Sequence, residues 1–395
     1  MRMVGTQARG IRAPIIKQGD DLVQIVVDSV LQSAKNERFK LQDQDVVGIT
    51  ESLVARAQGN YITIDELIKD LNSKFGSEEI GVVFPILSRN RFSLILKAIA
   101  KGFSKVYLLL SYPADEVGNA LMDLDRMDEA GINPYTDFLT EEDYRRIFGE
   151  KVKHPFTGVD YVQTYKELGV DGNISIYFSN NPREILRFTK NILVADIHSR
   201  ARTKRILKTA GTQSLYGLDE ICTRPVEGNG YNPQYGLLGS NVATEDKLKL
   251  FPRDGQYYVE AIQERFRELT GKQIEVLIYG DGAFKDPVAK IWELADPVVS
   301  PAFTAGLAGV PNEIKIKYLA DNMFDELEGE AVEQVMKEYI KEKNPTQSGG
   351  AESLGTTPRK LTDLLGSLCD LTSGSGDKGT PIVLIQGYFD NYSTD

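Results

Sequence analysis

The sequence predicts an α/β fold built from mixed sheets, and two observations carry that expectation. Short apolar runs recur along the chain, and between them lie longer segments whose apolar residues repeat at helical spacing. The chain has 395 residues, 41% of them hydrophobic and 26% charged, enough to bury a large core and, by length, to form roughly two or three domains.

Taken in order, residues 19–34 (GDDLVQIVVDSVLQSA) place the acids Asp20 and Asp21 ahead of apolar residues at helical spacing, which predicts a capped amphipathic helix. In DVVGITESLVARAQGN (45–60) an apolar strand over 46–49 runs into a polar turn at 50–52 and then a helical segment. Further strands are expected at 82–87, 106–110, 174–178 and 192–197, separated by helical patterns at 91–103 (RFSLILKAIAKGF) and 182–191 (PREILRFTKN). A second set follows: a helix over 257–271, a strand within QIEVLIYGDG (273–282), a Pro/Ala/Gly-rich stretch at 296–311 and a charged helix over 326–343. A Gly/Ser/Thr/Pro-rich linker at 345–358 then leads to a loop and final strand, DLTSGSGDKGTPIVLIQ (370–386).

Composition removes several function classes. A formal charge of −11 argues against nucleic acid or an anionic membrane as partner, because both reward clustered Lys and Arg. Cys222 and Cys369 are too few for a disulfide framework or a thiolate metal site, which fits a reducing cytoplasm. The first residues lack the apolar core of a signal peptide, and no apolar run approaches the roughly 20 residues that span a bilayer.

Two segments invite an anion. The glycine- and hydroxyl-rich loop at 370–380 either cradles a phosphate through amides that no Cβ shields, at Gly374, Gly376 and Gly379, or is a mobile surface loop. The run ADIHSRARTKR (195–205) sets Asp196 and His198 at a strand end, followed by Arg200, Arg202, Lys204 and Arg205. It is either a cradle for phosphate or carboxylate or the solvated first turn of a helix. His154, before Pro155, reads as structural, and the charged helix as a solvated face.

Five blocks in order resemble one family: APIIKQGDDL (13–22), DVVGITESLVARAQGN (45–60), GLLGSNVATEDKLKLFPRD (236–254), LTGKQIEVLIYGD (269–281) and SGSGDKGTPIVLIQG (373–387). They resemble the coenzyme F-420:L-glutamate ligases, or gamma-glutamyl ligases. These join L-glutamate to a phosphorylated deazaflavin with GTP and a divalent metal. The resemblance implies a ligase core at 1–75 and 211–395, interrupted by an inserted α/β segment at 76–210.

It also implies roles. Pro14, Ile15, Glu51 and Ser52 would contact the nucleotide, and Arg56 its phosphates through a planar fork of donors. Ser240 and Asn241 match a nucleotide-binding block, but Leu238 stands where the family has a metal-binding aspartate. Asp281 matches a second metal aspartate, at the carboxyl end of a strand, and Lys285 matches a family arginine beside it. Gly374, Ser375, Gly376, Asp377 and Lys378 would seat the nucleotide, with Ser375 at the place of a third metal carboxylate.

Implied cofactors are therefore GTP or ATP with magnesium or manganese. Implied partners are L-glutamate or another amino acid and a carboxylate acceptor, and the implied assembly is a homodimer. With two expected metal carboxylates replaced, a non-catalytic or regulatory nucleotide-binding protein is the alternative, and a ligand-free structural oligomer a third class.

Overall fold

A computed structural model describes residues 3–154, 157–228, 230–280, 284–285, 292–293, 299–311, 313–327, 329–342, 359–373 and 378–390. In chain order the strands are β1 (Gln7–Ile11), β2 (Val46–Thr50), β3 (Tyr61–Thr63), β4 (Glu79–Val83), β5 (Lys105–Leu110), β6 (Leu139–Thr140), β7 (Ile174–Phe178), β8 (Asn191–Val194), β9 (Ser214–Gly217), β10 (Asn241–Thr244), β11 (Lys247–Lys249), β12 (Glu275–Tyr279), β13 (Phe284–Lys285), β14 (Trp292–Glu293), β15 (Ala302–Phe303) and β16 (Ile382–Gln386). The helices are α1 (Leu22–Asn36), α2 (Glu51–Gln58), α3 (Ile64–Phe75), α4 (Phe92–Gly102), α5 (Leu124–Glu129), α6 (Glu141–Phe148), α7 (Tyr161–Glu167), α8 (Arg200–Thr209), α9 (Gly255–Thr270), α10 (Ile316–Tyr318), α11 (Glu330–Glu342) and α12 (Leu361–Ser373). The architecture is mixed α/β, as the alternating pattern predicts.

The first body is a five-stranded sheet in the order β1-β16-β2-β12-β15. β2 and β12 run parallel and in register from Val46↔Glu275 to Thr50↔Tyr279, and β16 lies antiparallel to β2 on its other side. The last strand of the chain therefore sits between two of the first. These central strands are continuous apolar runs because both faces are covered. α1 and α9 bring Val26, Val27, Val30, Val259, Ile262 and Phe266 to one face. α12 brings Leu365 and Cys369 to the other. Gly48, in the middle of β2, permits that second contact: a Cβ there would lie 2.4 Å from the Cys369 sulfur.

The second body is a six-stranded sheet, β6-β7-β5-β4-β8-β9, parallel except for the two-residue edge strand β6. Chain order runs outward from β4 through β5 to β7 and then returns through β8 to β9, so the winding reverses between β4 and β8. One face carries α3, α4 and the helices beyond β5, while Ile185 and Leu207 pack on the other. The larger apolar cluster includes Ile62, Leu67, Phe75, Leu218, Leu238 and Leu250. Packing thus runs across the expected boundaries at 75 and 210. A small sheet, β10-β11-β3, joins this body to the end of α2.

Four local expectations change. The strand expected at 82–87 covers Glu79–Val83, because Phe84 turns to φ 54° and Pro85 offers no donor to a ladder. The strand expected at 192–197 ends at Val194, where the chain turns into α8. Residues expected as a helix at 182–191 form a 3-10 turn, Pro182–Arg187. The stretch 370–373, expected as loop, is the last turn of α12. The linker at 345–358 lies outside the described residues. Among those described, no helix is long and apolar enough to cross a membrane.

Candidate functional site

A cavity of about 520 Å³ opens at the carboxyl ends of β2 and β12, where Thr50 and Tyr279 are neighbours across the sheet. β2 passes directly into α2. Thr50 caps the helix, its hydroxyl accepting from the Ser52 amide at 3.5 Å, and Gly59 ends it with φ 61°. A first turn beginning with Glu51 places a carboxylate at the positive end of the helix.

The near wall is the segment 13–16, with Pro14 and Ile15 on its exposed side. Arg56 holds it: Nε and Nη2 donate to the Ile16 carbonyl at 3.3 and 3.2 Å, and the Gly19 amide donates to the Ala57 carbonyl at 2.9 Å. The guanidinium fork, expected on phosphates, thus also fastens the main chain of this wall.

The far wall comes from the end of α12 and the residues before β16: Asp370, Ser373, Gly379, Thr380 and Pro381. Three bonds fix it. The Thr380 hydroxyl donates to the Ser373 carbonyl at 3.0 Å, while the Thr50 amide and the Tyr279 hydroxyl donate to the Pro381 carbonyl at 3.1 and 3.2 Å. Burial pushes the Tyr279 phenol up from its ordinary value, so it is a neutral donor.

Behind the cavity, Glu51 pairs with Lys249 of β11; the two residues are 8% and 9% exposed. Lys249 faces Tyr61 across β3 and Asn241 across β10, so this pair joins α2 to the strand that begins with Asn241.

The cavity brings together Pro14, Ile15, Glu51, Ser52 and Arg56 with Gly379 of the final loop. Ser240 and Asn241 stand apart from it. Ser240 is buried beside Arg91 and Phe92 in a small apolar hollow of the second body, which Leu238 also lines. Leu238 belongs to the core there, and its side chain offers no oxygen to a hard cation. Lys378 is exposed. Asp281, Gly374, Ser375, Gly376 and Asp377 lie outside the described residues, as does the side chain of Lys285. Asp281 follows Gly280, a wall residue. Among the described residues, no group of three His, Cys, Asp or Glu side chains is placed to hold a metal.

The basic run resolves toward the solvated helix. Arg200 pairs with Asp219 at 2.8 Å and Lys204 with Glu220. The amides of Ile197, His198 and Ser199 all donate to the Glu116 carboxylate. Asp196 is fully buried, takes the hydroxyls of Ser199 and Thr203 at 2.7 Å each, and is pushed up by burial. His154 is buried, and its Nδ1 accepts from the Thr157 amide at 3.1 Å.

Sequence reasoning singled out the segment 370–380 without naming Asp370, Ser373 or Thr380, and it missed Tyr279 and Lys249. The tyrosine ending VLIY, next to the flagged Asp281, was a usable signal; Lys249 had none, since its partner is 198 residues away.

A search of curated proteins returns no match. The family model described as F420-0:Gamma-glutamyl ligase matches residues 10–387, a span that encloses both walls of the cavity and the segment 76–210. The chain belongs to the F420-0:gamma-glutamyl ligase family.

Proposed function

We infer that the protein is a nucleotide- and metal-dependent amide ligase that adds L-glutamate or another amino acid to a carboxylate acceptor. The observation that carries this reading is the cavity itself: the blocks at 13–16, 50–56 and 379–381, distant in sequence, line one space at the carboxyl ends of parallel strands. A nucleoside triphosphate in this cavity would direct its phosphates toward Arg56 and Gly379.

In the reaction, the acceptor carboxylate attacks the terminal phosphorus, giving an acyl phosphate and a nucleoside diphosphate. The amine then attacks the acyl carbon, phosphate leaves, and a proton is released from nitrogen. Arg56 and Lys285 would meet the negative charge that passes along the phosphates, and the walls would align acceptor and amine. Thr50, Ser52, Asp370, Ser373 and Thr380 bring oxygens to the cavity, which suits a hard cation such as magnesium or manganese. Asp281, next to Gly280, would complete that set, and the ion would neutralise phosphate charge.

The test is phosphate release from GTP or ATP. Release should require magnesium or manganese, an amino acid and a carboxylate acceptor together, and Asp281→Asn should abolish it while leaving the fold intact.

The apolar setting of Leu238 favours a second reading, a nucleotide-binding protein without turnover. That protein would be protected against unfolding by nucleotide and release no phosphate. On either reading we place the protein in the cytoplasm, with its cysteines free, as a homodimer that covers exposed strand edges such as β1. A monomer by light scattering at micromolar concentration would remove the dimer.

A further inference from the structure

Lys249 lies in the block 236–254, where only Ser240 and Asn241 carry an expected nucleotide role, yet its ammonium is buried against a cavity carboxylate. Its position is rigid. Both neighbouring strands pair with β11, the Leu250 amide donates to the Asn60 carbonyl at 2.9 Å, and Asn60 Nδ2 donates to the Phe251 carbonyl at 2.7 Å. Stability alone does not account for such a pair, since a buried ion pair on average stabilises no better than apolar side chains of the same size. The pair does fix where the Glu51 carboxylate points.

An ionised carboxylate only accepts hydrogen bonds. On a nucleoside triphosphate its counterparts are the N–H groups of the base and the ribose hydroxyls, and the phosphates repel it. Arg56, about one and a half helical turns further along α2, has the opposite preference.

We propose that Lys249 is a positioning residue that holds Glu51 toward the nucleoside end of a nucleotide in this cavity, leaving the phosphate end to Arg56. This rests on the nucleotide reading of the cavity. Lys249 touches no substrate and acts through Glu51.

The experiment is calorimetric titration of the full chain with magnesium and two probes, GTP and inorganic tripolyphosphate, which lacks a nucleoside. Lys249→Met and Glu51→Gln should each weaken GTP about tenfold, the effect of one hydrogen bond to a charged group. The double variant should be no weaker than either single one, because both remove the same interaction. Tripolyphosphate binding should stay within about twofold of wild type in all of them, and Lys249→Arg, which keeps the charge, should restore most GTP affinity.

Additive losses, or equal losses for both probes, would mean that Lys249 serves the fold alone and would overturn the proposal. If Lys249→Met does not fold, Glu51→Gln and Lys249→Arg still decide: unchanged GTP affinity in Glu51→Gln overturns it. A wild type that binds neither probe sinks the nucleotide reading and the proposal with it. Variants that bind GTP as well as a binding-competent wild type sink only the proposal.

Discussion

The two large sheets of this protein offer the same kind of place and treat it in opposite ways. In the five-stranded body, β2 and β12 end side by side and α2 starts at once, leaving a cavity. In the six-stranded body, β4 and β8 end side by side where the winding reverses, the usual ligand position of such folds, and α8 starts soon after. There the loop after β5 fills the place. Asp115 accepts from the amides of Leu87, Val117 and Asn119, and Glu116 accepts from those of Ile197, His198 and Ser199. One acidic dipeptide thus ties together the loops that follow β4 and β8. Backbone topology supplies the place for a ligand in both bodies, and side chains decide which one stays open.

The largest expected effect tests that closure. Asp115 is buried, and burial pushes its carboxyl up from 3.8 to about 6 despite the donors around it. A folded-state value above the unfolded one means that the folded protein holds the proton more tightly. The stabilisation is then complete below about pH 4 and is lost as pH rises through about 6. Two pKa units correspond to roughly 3 kcal/mol. Urea unfolding at intervals from pH 4 to 7 should show wild type losing about that much relative to Asp115→Asn. Parallel curves for the two proteins would mean that this carboxylate does not feel its burial.

Much of this contrast was legible in the sequence, and the limits have physical causes. Strands such as VVGIT, ISIYF and IVLIQ declare themselves through local apolar runs, and the five ordered blocks pointed to Pro14, Glu51, Ser52 and Arg56, which do share a wall. Contacts that close over long loops leave no local trace. Nothing near Lys249 marks its pairing with Glu51, and nothing in ADIHSRARTKR shows that its amides are already taken by Glu116, about 80 residues earlier. The block GLLGSN carried no local sign of its packing for a related reason. Leu237, Leu238, Gly239 and Ser240 line the apolar hollow beside α4, and Asn241 is linked to the cavity through its ladder partner Lys249.

An intermediate effect is expected on the open side. Arg56→Ala removes an exposed cation and the two bonds that hold the Ile16 carbonyl. Affinity for GTP with magnesium should fall roughly tenfold to a hundredfold, the range for losing hydrogen bonds to a charged group. Tripolyphosphate should lose as much as GTP, the reverse of the pattern for Glu51→Gln. The thermal midpoint should barely move, since the side chain is exposed. If only GTP affinity fell, Arg56 and Glu51 would not divide the nucleotide between them.

The smallest effect sharpens the comparison from the closed side. Glu116 is exposed, and its carboxylate satisfies three amides ahead of α8, so Glu116→Ala should cost only about 1 kcal/mol, the scale of a capping interaction at a helix N-terminus. The amides it vacates would still point at the same spot, with Arg200 and Lys204 in the helix that follows, each committed to an acid of its own. Inorganic phosphate in the millimolar range should therefore raise the thermal midpoint of the variant and leave that of wild type unchanged, because in wild type a tethered carboxylate occupies the place at high effective concentration. Equal protection of both proteins would place the phosphate elsewhere, with the cavity beside Arg56 the first alternative. Protection of neither would show that these amides need the geometry of the Glu116 loop itself, so that the second body is closed by its shape as well as by its charge.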